Sequence, residues 1–325
     1  MRSILISFLI HLIAFNFGQA GIWSQQPTLA AHHPTVQVEK NTFTYWSDSV
    51  YQLELDLFLP KGITDQRLPV VLFMHGGGFY TGSRTEPKIE HYCDSLAHAG
   101  YAVANISYRL TLANDPLKFS CKQALDKKIA AIDAAATDLN RAAAWLLARA
   151  EEFNLDSARF TASGSSAGAE AVLHAAYVQT PTEATTILPK PFAYRALMAF
   201  SGAVLDTTFV RQRAIPTLLY HGTCDALVPY GSALHHYCDQ ASPGAMRLHG
   251  SYTLYELLRA ANQTVRFVTR CRGQHESAVI PIEQDLSALV EFLDRVNRAD
   301  QFIEHEIIET AGKPCQLGEW CHCRD

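Results

Sequence analysis

The chain has 325 residues, of which 48% are hydrophobic, so it is long enough to fold around a sizeable core as one large or two small domains. Its formal net charge is −5, and the sequence contains no basic block. These values argue against a protein that binds nucleic acid or an anionic membrane surface. We therefore expect no nucleic-acid partner.

The first twenty residues have the pattern of a secretory signal peptide. Arg2 gives a basic start, the apolar run from Ile4 to Phe15 follows, and Gly18 and Ala20 are the small residues expected before a cleavage site. The apolar run is well short of the ~20 residues that span a bilayer, so no stable membrane insertion is expected. The sequence thus predicts a secreted or periplasmic protein, with residues 21–325 forming a single domain.

All eight cysteines follow the predicted cleavage point. An even number of cysteines in an exported chain predicts disulfides, although the sequence alone does not choose between pairings. A metal cluster around His322 in the C-terminal tail is the weaker alternative, because no two cysteines form a C-x-x-C pair. We therefore predict that no metal is bound and that disulfides hold the tail. The cysteines available for pairing are Cys93, Cys121, Cys224, Cys238, Cys271, Cys315, Cys321 and Cys323.

The first third of the chain predicts a surface arm followed by strands. Residues 28–40 are polar and lack periodicity, which is typical of an extended arm. The leucines from Leu53 to Leu59 alternate with polar residues, which indicates a half-exposed edge strand. Residues 68–74 are apolar throughout, as in a strand that is buried on both faces. A helix is expected over residues 87–98, before Gly100.

The remainder alternates between strands and helices. Strands are predicted at residues 101–108, 194–201, 216–220 and 265–269. Another strand is predicted in the apolar run that ends at Phe160. Helices are predicted at residues 133–152, 167–177, 252–262 and 282–296. Residues 109–130 have the character of an insertion, and residues 180–191 that of a loop. This alternation predicts an α/β fold in which helices cover both faces of a mostly parallel sheet.

One motif has the context that a nucleophilic serine requires. Gly164, Ser166 and Gly168 form G-x-S-x-G between a strand and a helix. A sharp turn there needs residues without side chains on both flanks, and it would hold the Ser166 hydroxyl above the start of the helix. The backbone N–H of Ala167 would point towards an anion formed at that position.

The other candidate residues follow the same edge of the predicted sheet. Asp225 follows the strand at 216–220, and His275 follows the strand at 265–269. Imidazole can accept the serine proton, and a carboxylate can orient the imidazole, so the residues for nucleophilic catalysis occur in the order Ser, Asp, His. His75 and the glycines Gly76, Gly77 and Gly78 follow the strand at 68–74. Such a loop can offer backbone N–H groups to an oxyanion.

Together these motifs resemble the carboxylesterase/lipase type of α/β-hydrolase, close to the hormone-sensitive-lipase-like and carboxylesterase branches with an HGGG loop. The resemblance covers about residues 50–296 and includes the stretch Ser107-Tyr108-Arg109-Leu110. It implies an α/β-hydrolase fold and a triad of Ser166, Asp225 and His275. It also implies an oxyanion hole made by Gly77, Gly78 and Ala167, with His75 and Gly76 supporting the loop, and no cofactor.

The sequence departs from the family around the acid and the base. Cys224 directly precedes Asp225, and Cys271 lies four residues before His275. We hypothesise that a Cys224–Cys271 disulfide joins these two loops. By elimination, Cys93 and Cys121 form a second candidate pair. Residues 111–113 also differ from the family, so residues 109–130 and 180–193 are expected to set specificity.

Several other polar residues have a structural rather than a catalytic interpretation. Asp206 is the rival for the acid, and His221 is expected to be a structural hydrogen-bonding residue. Four further histidines are expected to be solvated: His32, His33, His235 and His236. The function predicted is a secreted serine esterase acting on small-molecule or polymer-borne esters with short acyl or aromatic groups, including acetyl or feruloyl esters of polysaccharide. The alternatives are a serine peptidase or lipase of the same fold, and a catalytically silent binding module.

Overall fold

The computed structural model describes residues 36–177, 186–213 and 215–311, together with Cys315 and Cys323. The predicted signal peptide, His32 and His33 lie outside the described residues. Among the described residues, no helix is both long and apolar enough to cross a membrane.

Within the described part of the chain, nine strands form one sheet in the order β1-β2-β4-β3-β5-β6-β8-β11-β12, and a small sheet has the order β7-β10-β9. Strand β2 runs antiparallel to both β1 and β4, whereas the pairs from β4 to β12 are parallel. The strands are β1 (Val38–Ser47), β2 (Gln52–Pro60), β3 (Leu68–Met74), β4 (Ala102–Ile106), β5 (Leu155–Ser165), β6 (Ala196–Phe200), β7 (Ala203–Val204), β8 (Thr217–Gly222), β9 (Ser232–Leu234), β10 (Arg247–Gly250), β11 (Val265–Cys271) and β12 (Ile303–Glu309).

Helices cover both faces of the large sheet. They are α1 (Pro87–His98), α2 (Leu125–Leu147), α3 (Ala167–Tyr177), α4 (Val210–Arg213), α5 (Ser251–Ala260), α6 (Ile280–Gln284) and α7 (Leu286–Asn297), with short 3-10 turns at His235–Tyr237 and His275–Ala278. Helices α1 and α7 contribute to one buried apolar cluster, and α2, α3 and α5 contribute to the other. The predicted α/β-hydrolase fold with a mostly parallel sheet is confirmed.

Several element boundaries differ from the prediction. The predicted arm ends in β1, and β12 was not predicted, because both are edge strands whose polar and charged residues hide the apolar period. Helix α2 begins eight residues before the predicted start. Residues 125–130 therefore belong to this helix, and the expected insertion ends at Ala124. The predicted last helix is two helices, α6 and α7.

Both predicted disulfide pairs are wrong. Cys224 is bonded to Cys315, and Cys271 is bonded to Cys323, so each partner comes from the tail beyond β12. Cys121 is bonded to Cys238, whereas Cys93 is a buried free thiol. Cys93 lies on α1, on the face that packs against the sheet.

Candidate active site

A strained turn presents Ser166 between β5 and α3. The residue has a φ of 52°, in the left-handed region that side chains normally avoid. A Cβ on Gly164 would lie 2.4 Å from the carbonyl carbon of Gly168, and one on Gly168 would lie 2.4 Å from Met74 O. Only glycine fits at these two positions, so the local sequence produces the turn and fixes the serine above the sheet.

The structure brings Ser166 and His275 into contact, although they are 109 residues apart in the sequence. Ser166 Oγ lies 2.8 Å from Nε2 of His275. His275 is the first residue of the 3-10 turn that follows β11, and the serine backbone N–H donates to Phe200 O at 2.8 Å. The turn after β5 and the turn after β11 therefore hold the hydroxyl and the imidazole within hydrogen-bonding distance, although β6 and β8 lie between these two strands.

Asp225 completes a hydrogen-bonded relay. Its Oδ2 lies 2.7 Å from His275 Nδ1, and its Oδ1 accepts hydrogen bonds from the N–H groups of Leu227 and Val228. The carboxylate is fully buried, and that burial opposes ionisation. Hydrogen bonds and charge from His221 and His275 outweigh the burial and hold the pKa of Asp225 well below its usual range.

The loops that carry Asp225 and His275 are joined directly by backbone contacts. Cys224 N donates to Gly273 O at 2.8 Å, and Arg272 N donates to the Thr223 hydroxyl at 2.9 Å. These bonds already connect the two loops. The cysteines instead tie each loop separately to the tail, which corrects the hypothesis of a bridge between them.

The glycine loop after β3 lies beside the serine. Gly77 has a φ of 116° and Gly78 a φ of 59°, and a Cβ on Gly77 would lie 2.0 Å from Thr81 O. Both glycines line the same cleft as Ser166 and Ala167. Ala167 is the first residue of α3, where the backbone N–H has no partner within the helix.

Beneath this loop, Tyr108 and His75 form a support. The two rings stack with centroids 4.5 Å apart, and the Tyr108 hydroxyl donates to His75 O at 2.9 Å. Nδ1 of His75 lies 2.7 Å from Gly76 O. Burial lowers the pKa of His75 below its ordinary value, which favours a neutral ring.

The serine opens into a cleft of about 1100 Å³. Residues 116–122 form part of its wall, so the inserted segment reaches the site as expected. The second segment expected to set specificity is residues 180–193, of which the structure describes residues 186–193. None of these described residues lines the cleft. Leu117 and Leu227 are exposed at the cleft, and Phe119 is buried in its wall.

The rival candidates take other positions. Asp206 is exposed and accepts hydrogen bonds from the backbone and hydroxyl of Thr208. His221 is buried behind Asp225, with Nδ1 2.8 Å from the Ser251 hydroxyl and Nε2 3.1 Å from Val228 O. Neither contacts Ser166, and His221 acts only on the acid, with its Nε2 3.3 Å from Asp225 Oδ2.

Two polar residues of the cleft were missed by the sequence analysis. Glu170 and His235 are 2% and 1% exposed, and both line the cleft. The expectation that His235 and His236 are solvated is therefore wrong: His235 is buried against Phe119, and His236 is half-buried. One signal was present, since Glu170 is the only acidic residue of an otherwise alanine-rich helix.

Comparisons with known proteins agree with this fold. Residues 55–196 match the family model BD-FAE, which describes esterase- and lipase-like α/β-hydrolases. Fumonisin B1 esterase of Sphingopyxis macrogoltabida is 32% identical over 123 residues, which are 37% of this chain and 22% of that protein. Gut esterase 1 of Caenorhabditis briggsae is 38% identical over 58 residues, 18% of this chain and 10% of that protein. The matched parts thus span less than a quarter of either relative.

Solved structures give a longer match at lower identity. Apo esterase 2 of Thermogutta terrifontis superposes with a TM-score of 0.54 at 18% identity, over 82% of this chain and 94% of that one. The same esterase phosphoramylated by tabun gives 0.54 at 19% identity, with the same coverage. This chain has the α/β-hydrolase fold, and its residues 55–196 resemble the esterase- and lipase-like class of that fold. Within that class, the HGGG-loop branch stays a prediction from His75 and the three glycines that follow it.

Proposed function

We propose that this protein is a serine carboxylic-ester hydrolase that acts through an acyl-enzyme. The observation that carries the proposal is the continuous relay from Ser166 Oγ through the His275 ring to Asp225 Oδ2, with contacts of 2.8 and 2.7 Å, at the floor of an open cleft. The similarity of residues 55–196 to esterase- and lipase-like hydrolases supports it.

The relay supports a two-step mechanism. Ser166 Oγ attacks the ester carbonyl while His275 Nε2 takes the serine proton. The tetrahedral intermediate collapses, its bond to the alkoxide breaks, and His275 returns the proton to the leaving alcohol. Water then attacks the acyl-enzyme with His275 again acting as the base, which releases the carboxylic acid and restores the Ser166 hydroxyl.

The electrostatics of the site favour each proton transfer. The lowered pKa of Asp225 keeps its carboxylate ionised, so it holds the proton on His275 Nδ1 and stabilises the imidazolium that forms at Nε2. We assign the oxyanion to the backbone N–H groups of Gly77, Gly78 and Ala167. One such donor contributes roughly 3–4 kcal/mol to transition-state stabilisation in related enzymes.

The proposed substrates are short acyl or aromatic esters, including acetyl or feruloyl groups carried on polysaccharide. The cleft has an aromatic wall that includes Tyr80 and Phe119, which suits a flat or small acyl group. One structure of the Thermogutta terrifontis esterase contains butyrate, which supports a short acyl chain here. No organic cofactor takes part in this mechanism.

We also propose that the protein acts outside the cytoplasm. The described residues contain three disulfides, and such bonds persist in oxidising compartments. The signal-peptide pattern of residues 1–20 agrees with this location.

Two measurements test the function. The first is hydrolysis of p-nitrophenyl esters from acetate to palmitate by the wild type and by Ser166→Ala. The second is fluorophosphonate labelling, with Ser165→Ala as the matched control, since the Ser165 hydroxyl donates to Ala278 O rather than contacting His275. We expect the hydrolytic activity to fall as the acyl chain lengthens and to disappear in Ser166→Ala. We expect fluorophosphonate labelling to persist in Ser165→Ala.

Each contrary result favours a different alternative. Turnover that survives in Ser166→Ala rejects the nucleophile. Activity that peaks at palmitate indicates a lipase. Labelling of Ser166 without hydrolysis of any ester favours a serine peptidase, and neither labelling nor turnover favours a binding module.

A further inference from the structure

A second polar group lies in the wall of the cleft, outside the proposed triad. Glu170 comes from α3, one turn after Ser166, and His235 comes from the 3-10 turn after β9. Both side chains are almost completely buried, and both line the cleft. His235 Nε2 lies 3.7 Å from Glu170 Oε1, which is longer than a hydrogen bond.

Each residue has a polar atom that finds no partner among the described residues. Glu170 Oε1 and His235 Nδ1 are buried and make no hydrogen bond within the part of the chain that the structure describes. A buried polar atom left unpaired costs about 1–3 kcal/mol, so two of them in one cleft need an explanation. A substrate group that enters the cleft and bonds to them provides one.

The charge state of this pair narrows the chemistry of that group. Burial raises the pKa of Glu170 to about 8. The charge of Lys128 lowers this pKa, and the charge of Asp225 raises it. Burial also lowers the pKa of His235, and the neighbouring His236 and Lys128 lower it further. At neutral pH the pair is therefore a protonated carboxyl and an uncharged imidazole.

Lys128 and Phe119 lie beside this neutral pair. Lys128 is the nearby cation, and its Nζ donates to Gly244 O at 2.9 Å and lies 5.0 Å from the centre of the Phe119 ring. Phe119 also packs edge-on against His235, with centroids 4.9 Å apart. An uncharged group with both a donor and an acceptor, such as a hydroxyl, matches a protonated carboxyl beside a neutral imidazole.

We propose that Glu170 and His235 form a specificity subsite that binds a hydroxyl group of the ester substrate. The subsite lies one helical turn, about 5.4 Å along the axis, from Ser166. The bound hydroxyl therefore belongs to a part of the substrate close to the scissile carbonyl. This inference rests on the proposed esterase function and assigns which esters that site prefers.

The test compares matched esters that differ by one hydroxyl. On the acyl side the pair is p-nitrophenyl 3-hydroxybutyrate and p-nitrophenyl butyrate; on the alcohol side it is 2-hydroxypropyl butyrate and propyl butyrate. We expect the wild type to favour the hydroxylated member of at least one pair by about tenfold in kcat/KM, the effect of roughly one good hydrogen bond. A ratio near one in both pairs overturns the subsite.

Variants then assign the preference to the residues. Glu170→Leu should bring the ratio close to one, whereas Glu170→Gln, which keeps a neutral donor and acceptor, should retain most of it. His174→Gln is the matched control, because His174 lies one turn further along α3, is buried, and pairs with Asp133 outside the cleft. A preference that survives unchanged in Glu170→Leu also overturns the assignment.

A binding measurement separates this inference from the catalytic proposal. Ser166→Ala is titrated by NMR with N-propylbutanamide and with two hydroxylated analogues, 3-hydroxy-N-propylbutanamide and N-(2-hydroxypropyl)butanamide. Tighter binding of either hydroxylated amide supports the subsite even if no ester is hydrolysed, and equal binding of all three rejects it. Conversely, Ser166-dependent hydrolysis with no hydroxyl preference leaves the esterase proposal standing and removes the subsite.

Discussion

Gly222 and Gly273 meet where the loop that carries Asp225 crosses the loop that carries His275. A Cβ on Gly222 would lie 2.3 Å from Gly273 O and 2.6 Å from Gln274 O. Both obstacles are backbone atoms of the segment that leads into His275, so neither can move without moving the imidazole.

We therefore expect Gly222→Ala to lower kcat/KM by more than its effect on the free energy of unfolding would explain. Misplacing a reacting group by about 1 Å can lower the rate about 100-fold, and we expect a loss of that order in kcat/KM for p-nitrophenyl acetate. Gly62→Ala is the control: a Cβ there meets nothing within 4 Å, and its φ of 86° strains alanine at a position outside the cleft. Full activity in Gly222→Ala would show that the contact does not position the histidine.

Asp225 and Asp206 offer a direct comparison between the proposed acid and its rival. We expect Asp225→Asn to lower kcat by about 10⁴-fold, because an amide can hold the imidazole in the wrong tautomer. Asp206→Asn should leave kcat unchanged, since that carboxylate only accepts bonds from Thr208 at the surface. Steady-state kinetics on one short ester decide the matter, and the reverse order of effects would exchange the two roles.

The protonation of Glu170 should appear in the pH dependence of stability. Its pKa is about 8 in the folded chain, raised by burial from an ordinary value of 4.5, so between these values the folded chain binds a proton that the unfolded chain releases. This stabilisation is complete below about pH 4.5 and is lost as the pH rises through 8.

Urea unfolding at several pH values between 5 and 8 measures this effect. The free energy of unfolding of the wild type minus that of Glu170→Gln should fall by at most about 1.4 kcal/mol per pH unit. Glu151→Gln is the control, because the pair of that carboxylate with Arg67 is at the surface and lowers its pKa. A difference that stays flat for Glu170→Gln would contradict the raised pKa.

Asp138 joins helix α2 to the residues after β4. It is fully buried and receives hydrogen bonds from Arg109 and Arg141. Asp138→Asn removes the buried carboxylate that both arginines share, so we expect a loss of about 3 kcal/mol or more in unfolding free energy. Glu256→Gln, which removes an exposed pair with Arg259, should change it by less than about 1 kcal/mol. Thermal and urea unfolding give both values, and similar losses would reject the buried network.

The tail disulfides predict a specific pattern in peptide mapping without reduction. The expected linked pairs are Cys224–Cys315 and Cys271–Cys323, and any Cys224–Cys271 peptide would contradict the structure. The double variant Cys224→Ser/Cys315→Ser should lose about 2–5 kcal/mol of stability. We expect its activity to fall too, because Asp225 is the next residue in the chain.

Much of this molecule could be predicted from local patterns. The buried strands, and the glycines beside Ser166, are short-range signals because steric demands act on neighbouring residues. The disulfide partners could not be predicted, since Cys315 and Cys323 reach the two loops only through the path of the tail past β12. His235 was assigned to solvent because its burial depends on Phe119, more than a hundred residues earlier in the chain.

The tail disulfides also concern the order in which the protein matures. Cys315 and Cys323 follow β12, so the ribosome makes them after every strand of the large sheet. Until they are oxidised, the loops that carry Asp225 and His275 are held to each other by hydrogen bonds. A newly made chain can therefore complete its sheet before oxidation of Cys315 and Cys323 fastens the loops that carry the acid and the base to the tail.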